Sequence, residues 1–298
     1  MAAPTAPLRQ RSRLACYVAL TKPRIIELLL VTTVPTMVVA QGGLPPLGLM
    51  VATVVGGTLA AAGANAVNMY VDRDIDTLMH RTRGRPLVTG EIEPSRALAF
   101  ALALEVVAFV ELWALVNLLS AVLALSATAF YVFVYTLWLK RTSTNNIVIG
   151  GAAGAVPVLV GWAAVTGSLG LAPLVLFAII FVWTPPHFWA LAIRYRDDYA
   201  AAEVPMLPAV SSLATVARRI LAYTVALWAC SLLFAEVAGM GLVYWGSAIV
   251  LGAVFVLHAV RLGGDATPER AMKLFGWSIT YITLLFGAMA LDQFVPLG

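Results

Sequence analysis

Three oxygen-bearing side chains, Asn68, Asp72 and Asp76, recur every four residues in the stretch NMYVDRDID (68–76). On a helix this spacing stacks them along one face within about 12 Å. Oxygen donors of this kind suit Mg2+, which binds through one or two carboxylates and completes its shell with substrate phosphates. A bare Asp at the centre of a membrane helix costs about 2.5–3.5 kcal/mol, so the three aspartates of this stretch would oppose insertion by about 8 kcal/mol or more. The stripe must therefore open to water or to a polar cavity, and carboxylates so placed mark functional sites.

The segment that follows, HRTRGRPLVTGEIEP (80–94), sets Arg81, Arg83 and Arg85 beside these carboxylates. Metal-type acids next to guanidinium forks suit a Mg2+-bridged polyphosphate; the plainer reading is that the arginines only set membrane topology. YTLWLKRTSTNN (135–146) supplies Tyr135, Lys140, Arg141 and one of Asn145 and Asn146. A Lys-Arg pair at a helix end is ordinary in a membrane protein, and gains weight only from its company. In PPHFWALAIRYRDDY (185–199), Pro185 and Pro186 are expected to break or kink the helix and to free backbone groups that need a polar surrounding. His187 follows directly, as a ligand for haem iron, a hydrogen-bond donor or a partner for a freed carbonyl. Asp197 and Asp198 form a second acidic cluster, or else a solvated loop. Glu105 and Glu111, inside an apolar run, require a cavity or a partner. No Walker loop, zinc spacing or nucleophile elbow is present, and the glycines of VVGGTLAAAGA and GGAAGAVP read as close helix packing. Cys16 and Cys230 match no metal or redox spacing.

The elements that must position these groups are membrane helices. The chain of 298 residues is 61% hydrophobic and 11% charged, whereas soluble domains carry about 25% charged residues. The fold class expected is all-α, a single domain (1–298) of nine spans: Ile25 to Ala40, Leu49 to Met69, Ala97 to Val116, Leu118 to Leu139, Ile147 to Thr166, Leu171 to Ile193, Ile220 to Val237, Leu242 to Val260 and Leu274 to Phe294. All 19 Lys and Arg residues precede span 1 or fall at the connections or flanks of spans 2–3, 4–5, 6–7 and 8–9. The other connections carry none, so the positive-inside rule places the N-terminus, with residues 1–21 as a cytoplasmic segment, inside and the C-terminus outside. The stripe then opens to the cytoplasm, and the net charge of +4 answers to topology and anionic lipid rather than to nucleic acid. Two inner connections, Tyr70 to Ser95 and Arg194 to Arg219, are long and each begins with an acidic cluster. This layout suggests two similarly oriented halves facing one site.

The residues resemble the UbiA-type intramembrane prenyltransferases, whose first motif, Asn-x-x-x-Asp-x-x-x-Asp, is matched by Asn68, Asp72 and Asp76. LTKPRI (20–25), RTRGRPLVTG (81–90), YTLWLKRTSTNNIVIGGAAGAVP, TPPHFWALAIRYRDDY and VPMLP (204–208) are similar to its haem-farnesylating branch, the protoheme IX farnesyltransferases. Related aromatic prenyltransferases carry a second acidic pair four residues apart; here Arg194 stands four before Asp198. The resemblance implies a helical bundle around a central cavity in the bacterial inner membrane. It implies transfer of the farnesyl group of farnesyl diphosphate to a vinyl group of haem b, with addition of water, to give haem O for terminal-oxidase haem biosynthesis. Asp72, Asp76, Asn68 and Asp198 would hold Mg2+. Arg81, Arg85, Lys140 and Arg141 would offset diphosphate charge, Tyr135 and Asn145 would line the substrate site, and Lys22, Arg24 and His187 would meet the haem. A haem-modifying membrane enzyme would take the product onward. The competing functions are prenyl transfer to a quinone precursor or chlorophyllide, which would call for the missing acid pair, and a haem or lipid carrier, which would need no Mg2+-type stripe.

Overall fold

The computed structural model describes residues 11–295, apart from the side chains at positions 24, 25, 28 and 29. Residues 1–10 of the expected cytoplasmic segment, and the side chain of Arg24, lie outside the described residues. All regular elements among the described residues are helical: α1 (Arg13–Thr21), α2 (Pro23–Gln41), α3 (Leu47–Val71), α4 (Arg73–Asp76), α5 (Pro94–Leu115), α6 (Leu118–Ala129), α7 (Lys140–Thr142), α8 (Asn146–Thr166), α9 (Leu171–Arg194), α10 (Arg196–Ala201), α11 (Leu207–Val210), α12 (Leu213–Val237), α13 (Leu242–Gly264) and α14 (Pro268–Asp292). A π-helical stretch, Phe130–Leu139, joins α6 to α7.

Local sequence explains the ends. Ser12, Asn117, Ser212 and Thr267 each accept a backbone N–H three residues on, as N-caps do. Gly42 and Gly167 close α2 and α8 at positive φ, where a side chain would strain the backbone.

Eight helices among the fully described ones are long and apolar enough to cross a membrane, and they coincide with eight of the nine expected spans. The first expected span coincides with α2, whose sequence is apolar from Ile25 to Ala40 apart from Glu27 and the three threonines. Its first turns carry Arg24 and Glu27, and Thr32, Thr33 and Thr36 dilute the remainder. The 19 residues of α2 still extend about 28 Å.

Successive long helices pack in chain order, α2 on α3, then α5, α6, α8, α9, α12, α13 and α14, and α14 returns to α2. α8 also touches α2, and α9 touches α14, so α8 and α9 are the most buried spans. The cores of the two ends of the chain differ. Ala60, Ala66, Ala97, Ala101, Ala108 and Ala121 fill the first, whereas Phe234, Tyr244, Phe255, Tyr281 and Phe286 fill the second.

The glycines act as notches. A Cβ at Gly56 or Gly63 of α3 would run into Glu111 or Glu105 of α5, and one at Gly151 would strike Thr184. The two glutamates thus occupy the α3–α5 seam, where Glu105 accepts a hydrogen bond from Thr128 of α6 (3.2 Å). Contrary to the expected break, α9 runs unbroken through Pro185 and Pro186. Packing against α8, α12 and α14 holds it, and Thr184 donates to the carbonyl of Ile180 in the turn before the prolines (2.8 Å).

Candidate active site

The C-terminal end of α3 carries Asn68, with Asp72 at its cap and Asp76 one turn further, in α4. All three side chains are buried. Asn68 Nδ2 donates to Asp72 Oδ2 (2.8 Å) and to Thr136 Oγ1 (3.1 Å), and its Oδ1 accepts from Lys22 Nζ (2.7 Å). The stripe is therefore real, and each polar atom of Asn68 is used.

Four cations from three chain segments converge on it. The Lys140 ammonium pairs with Asp72 Oδ2, and Arg85 pairs with Asp76 (2.6 Å). Arg141 forms a two-pronged pair with Asp74 (2.7 and 2.8 Å), while its Nη2 lies 3.8 Å from Asp72 Oδ1. That hydrogen bond from Arg141, its main cause, holds the Asp74 carboxyl down at about 2. Lys22 occupies a left-handed backbone conformation (φ 53°) between α1 and α2. This conformation is unusual for a residue with a side chain, and Asn65 fixes the turn through the Thr21 carbonyl (3.0 Å). Burial, then the neighbouring Arg85 and Lys140, push the Lys22 ammonium down to about 7.

The π-helical stretch supplies the facing wall. Lys140 N–H reaches back five residues to the Tyr135 carbonyl, and Thr136 Oγ1 donates to the Tyr131 carbonyl (2.8 Å). The rings of Tyr131 and Tyr135 stack, with centroids 5.3 Å apart. A Cβ at Gly150 of α8 would enter the Tyr135 ring, so only glycine leaves it room. Wide turns of this type often accompany functional sites.

The second long loop meets the first. Arg81 N–H donates to Asp198 Oδ2 (3.1 Å), and its guanidinium lies 5.6 Å over the Tyr195 ring. Burial pushes the Tyr199 hydroxyl up.

Of the expected metal ligands, Asn68, Asp72 and Asp76 come together. Asp198 sits beyond the Arg81 backbone, and no group of three or more His, Cys, Asp or Glu poised for a metal occurs among the described residues. One buried atom is left over: Asp72 Oδ1 has no hydrogen-bond partner. A sealed carboxylate oxygen with a cation at 3.8 Å but no hydrogen bond is costly unless it binds something more. Two carboxylates with a free oxygen fit Mg2+ completed by phosphates.

Other expectations divide. Lys22, predicted for haem propionates, is in the carboxylate cluster. Asn145 is exposed and precedes α8, whereas Asn146 is buried with a partnerless Oδ1. Asp197 is exposed, and His80 pairs with Arg83 on the surface (2.9 Å). His187 is buried on α9 against α14, among Trp183, Phe188, Phe275 and Ser278. Asp74, Thr136 and Ser278 were missed. Asp74 lies within the acidic stretch but off its four-residue phase, and the two hydroxyls carry no signal in sequence.

Comparisons with known proteins come last. The model of the UbiA prenyltransferase family matches residues 29–286. A protoheme IX farnesyltransferase from Parafrankia sp. (strain EAN1pec) is 55% identical over 285 residues, covering 95% of this chain and 91% of the relative. Among solved structures, a UbiA homologue from Aeropyrum pernix K1 in its apo form superposes with a TM-score of 0.72 at 21% identity, covering 92% of this chain and 98% of that one. Another, from Archaeoglobus fulgidus and bound to GPP and Mg2+, gives 0.66 at 17%, covering 92% and 99%.

Proposed function

The chain belongs to the UbiA prenyltransferase family, and from that premise we propose that it transfers the farnesyl group of farnesyl diphosphate to a vinyl carbon of haem b, giving haem O. The observation that carries this reading is the buried, partnerless Oδ1 of Asp72 inside a ring of four cations, Lys22, Arg85, Lys140 and Arg141. Protoheme IX farnesyltransferases more than half identical along nearly the whole chain support the choice of acceptor.

Asp72 and Asp76, with Asn68 beside them, would hold Mg2+, as the Mg2+-bound Archaeoglobus homologue supports. Bound there, the ion would stabilise charge on the departing diphosphate. The protein's own groups do the rest. In the ligand-free cluster, Lys140 and Arg85 neutralise Asp72 and Asp76. Lys140 and Arg85, beside the carboxylates that would hold the ion, would meet the diphosphate where negative charge builds as the C1–O bond breaks. Arg81, whose backbone N–H is tied to Asp198 of the second loop, supports the same charge from the first loop. Tyr135 and Tyr131 offer ring faces to the allylic cation. The electron pair of the vinyl double bond forms the new bond to C1, and water captures the cation left beside the macrocycle and loses a proton. A dry interior delays that capture until the carbon–carbon bond exists.

The end of the bundle that holds the cations would face the cytoplasm. The test is to incubate the purified protein with haem b, farnesyl diphosphate and Mg2+ and to weigh the pigment by mass spectrometry. Haem O is expected. Unaltered haem b, with a prenylated quinone precursor formed from a parallel incubation, would overturn the reading.

A further inference from the structure

His187 and Ser278 lie 91 residues apart, on α9 and α14, with Nδ1 and Oγ at 2.7 Å in a buried contact. Ser278 Oγ also donates to the carbonyl of Phe275 (2.6 Å). A hydroxyl has one proton, and here the carbonyl takes it. The serine can only accept from the imidazole, so Nδ1 carries the ring proton and the lone pair of a neutral His187 stands on Nε2.

The rest of the site holds the ring still. Trp183 stacks on it with centroids 4.2 Å apart and planes at 23°, and Phe275 at 4.6 Å and 29°. Phe188 meets it edge-on at 5.3 Å. The Trp183 indole donates to the Ser278 carbonyl (2.9 Å), tying one stacked ring to the residue that sets the tautomer. Nε2 has no hydrogen-bond partner among the described residues. It is also absent from the sealed, partnerless atoms, which are those of Asp72, Glu111, Asn146, Trp189 and Trp277. Nε2 therefore keeps access to open space. A purely structural histidine would be expected to satisfy both nitrogens.

We propose that Ser278 is a positioning residue that presents Nε2 of His187 as the axial ligand to the iron of the haem acceptor. A metal-binding imidazole typically donates its second N–H to a fixed oxygen, which sets its tautomer and raises its basicity. Among the described residues no cluster of His, Cys, Asp or Glu offers further ligands, so the metal must bring its own, as a macrocycle does. His187 lies seven residues before Arg194, about 10 Å inside the charged end, a depth at which the macrocycle's propionates can reach the cations at that end. The inference rests on haem as the acceptor.

The test uses the full-length protein in detergent, titrated with haem b and followed by Soret and spin-state spectra. Mg2+-dependent binding of a farnesyl diphosphate analogue and the melting temperature are measured on the same samples. His187→Ala should abolish the imidazole-ligated spectrum, and added imidazole should restore it. Ser278→Ala should weaken haem binding about 10-fold or more and alter the spectrum, while Ser278→Thr, which keeps the hydroxyl, should recover both. Analogue binding should stay unchanged throughout. Wild-type spectra in His187→Ala, or in Ser278→Ala, would overturn the inference while leaving farnesylation of haem intact. A wild-type protein that binds the analogue but neither binds haem nor makes haem O would overturn the acceptor reading itself.

Discussion

The ammonium of Lys140 pairs with one oxygen of Asp72, while the other oxygen of that carboxylate, equally buried, has no hydrogen-bond partner. The carboxylate is thus half satisfied at rest. Asp72→Asn keeps the shape and removes the charge, and turnover is expected to fall about 100-fold or more, together with Mg2+-dependent binding of farnesyl diphosphate. Asp76→Asn should behave alike. Since Lys140 would then be buried without its partner, a melting curve must accompany the assay. Near-normal turnover in a folded variant would remove Asp72 from the role assigned to it.

Asp74 lies off the stripe but holds both prongs of Arg141. Asp74→Asn should leave Asp72, Asp76 and the metal affinity in place and loosen Arg141. The expected result is a several-fold rise in KM for farnesyl diphosphate, with metal dependence unchanged. Asp74 is largely exposed, so stability should scarcely move. An unchanged KM would show that Arg141 needs no such anchor.

Gly150 gives the Tyr135 ring its space. Gly150→Ala forces either the ring or α8 to move, at about 1–3 kcal/mol. Farnesyl transfer should drop about as far as it does in Tyr135→Ala. The paired kinetics decide: full activity in Gly150→Ala would mean that the placement of this ring is immaterial.

Asp292, at the end of α14, accepts the backbone N–H groups of Gly241 (2.5 Å) and Tyr244 (3.0 Å) and so caps α13 from a neighbouring helix. Asp292→Ala should cost about 0.5–2 kcal/mol, seen as a lower melting temperature, while kcat remains near wild type because the cap is at the uncharged end of the bundle. A large loss of kcat without destabilisation would contradict that separation.

Orientation is checked by cysteine labelling in a background lacking Cys16 and Cys230. Cysteines replacing the exposed Leu44, Ser168 and Leu242 should react from outside intact cells, and those replacing Arg83 and Thr142 should not. The reverse pattern would place the carboxylate cluster on the outer side.

Hydropathy and the placement of Lys and Arg were enough to determine the helical class, eight of the spans and which connections share an end, because membrane insertion reads local runs of residues. Helical periodicity likewise exposed Asn68, Asp72 and Asp76, since a four-residue repeat survives without tertiary context. Only the tertiary structure decided which partner each of these side chains finds. Lys22 with Asn68, Lys140 with Asp72 and Arg81 with Asp198 are pairs 46, 68 and 117 residues apart, and nothing local distinguishes one arginine or lysine of a charged loop from the next. The same holds for Thr136 and Ser278. A hydroxyl in a membrane helix usually bonds its own preceding turn, and only the approach of another helix gives it a second partner.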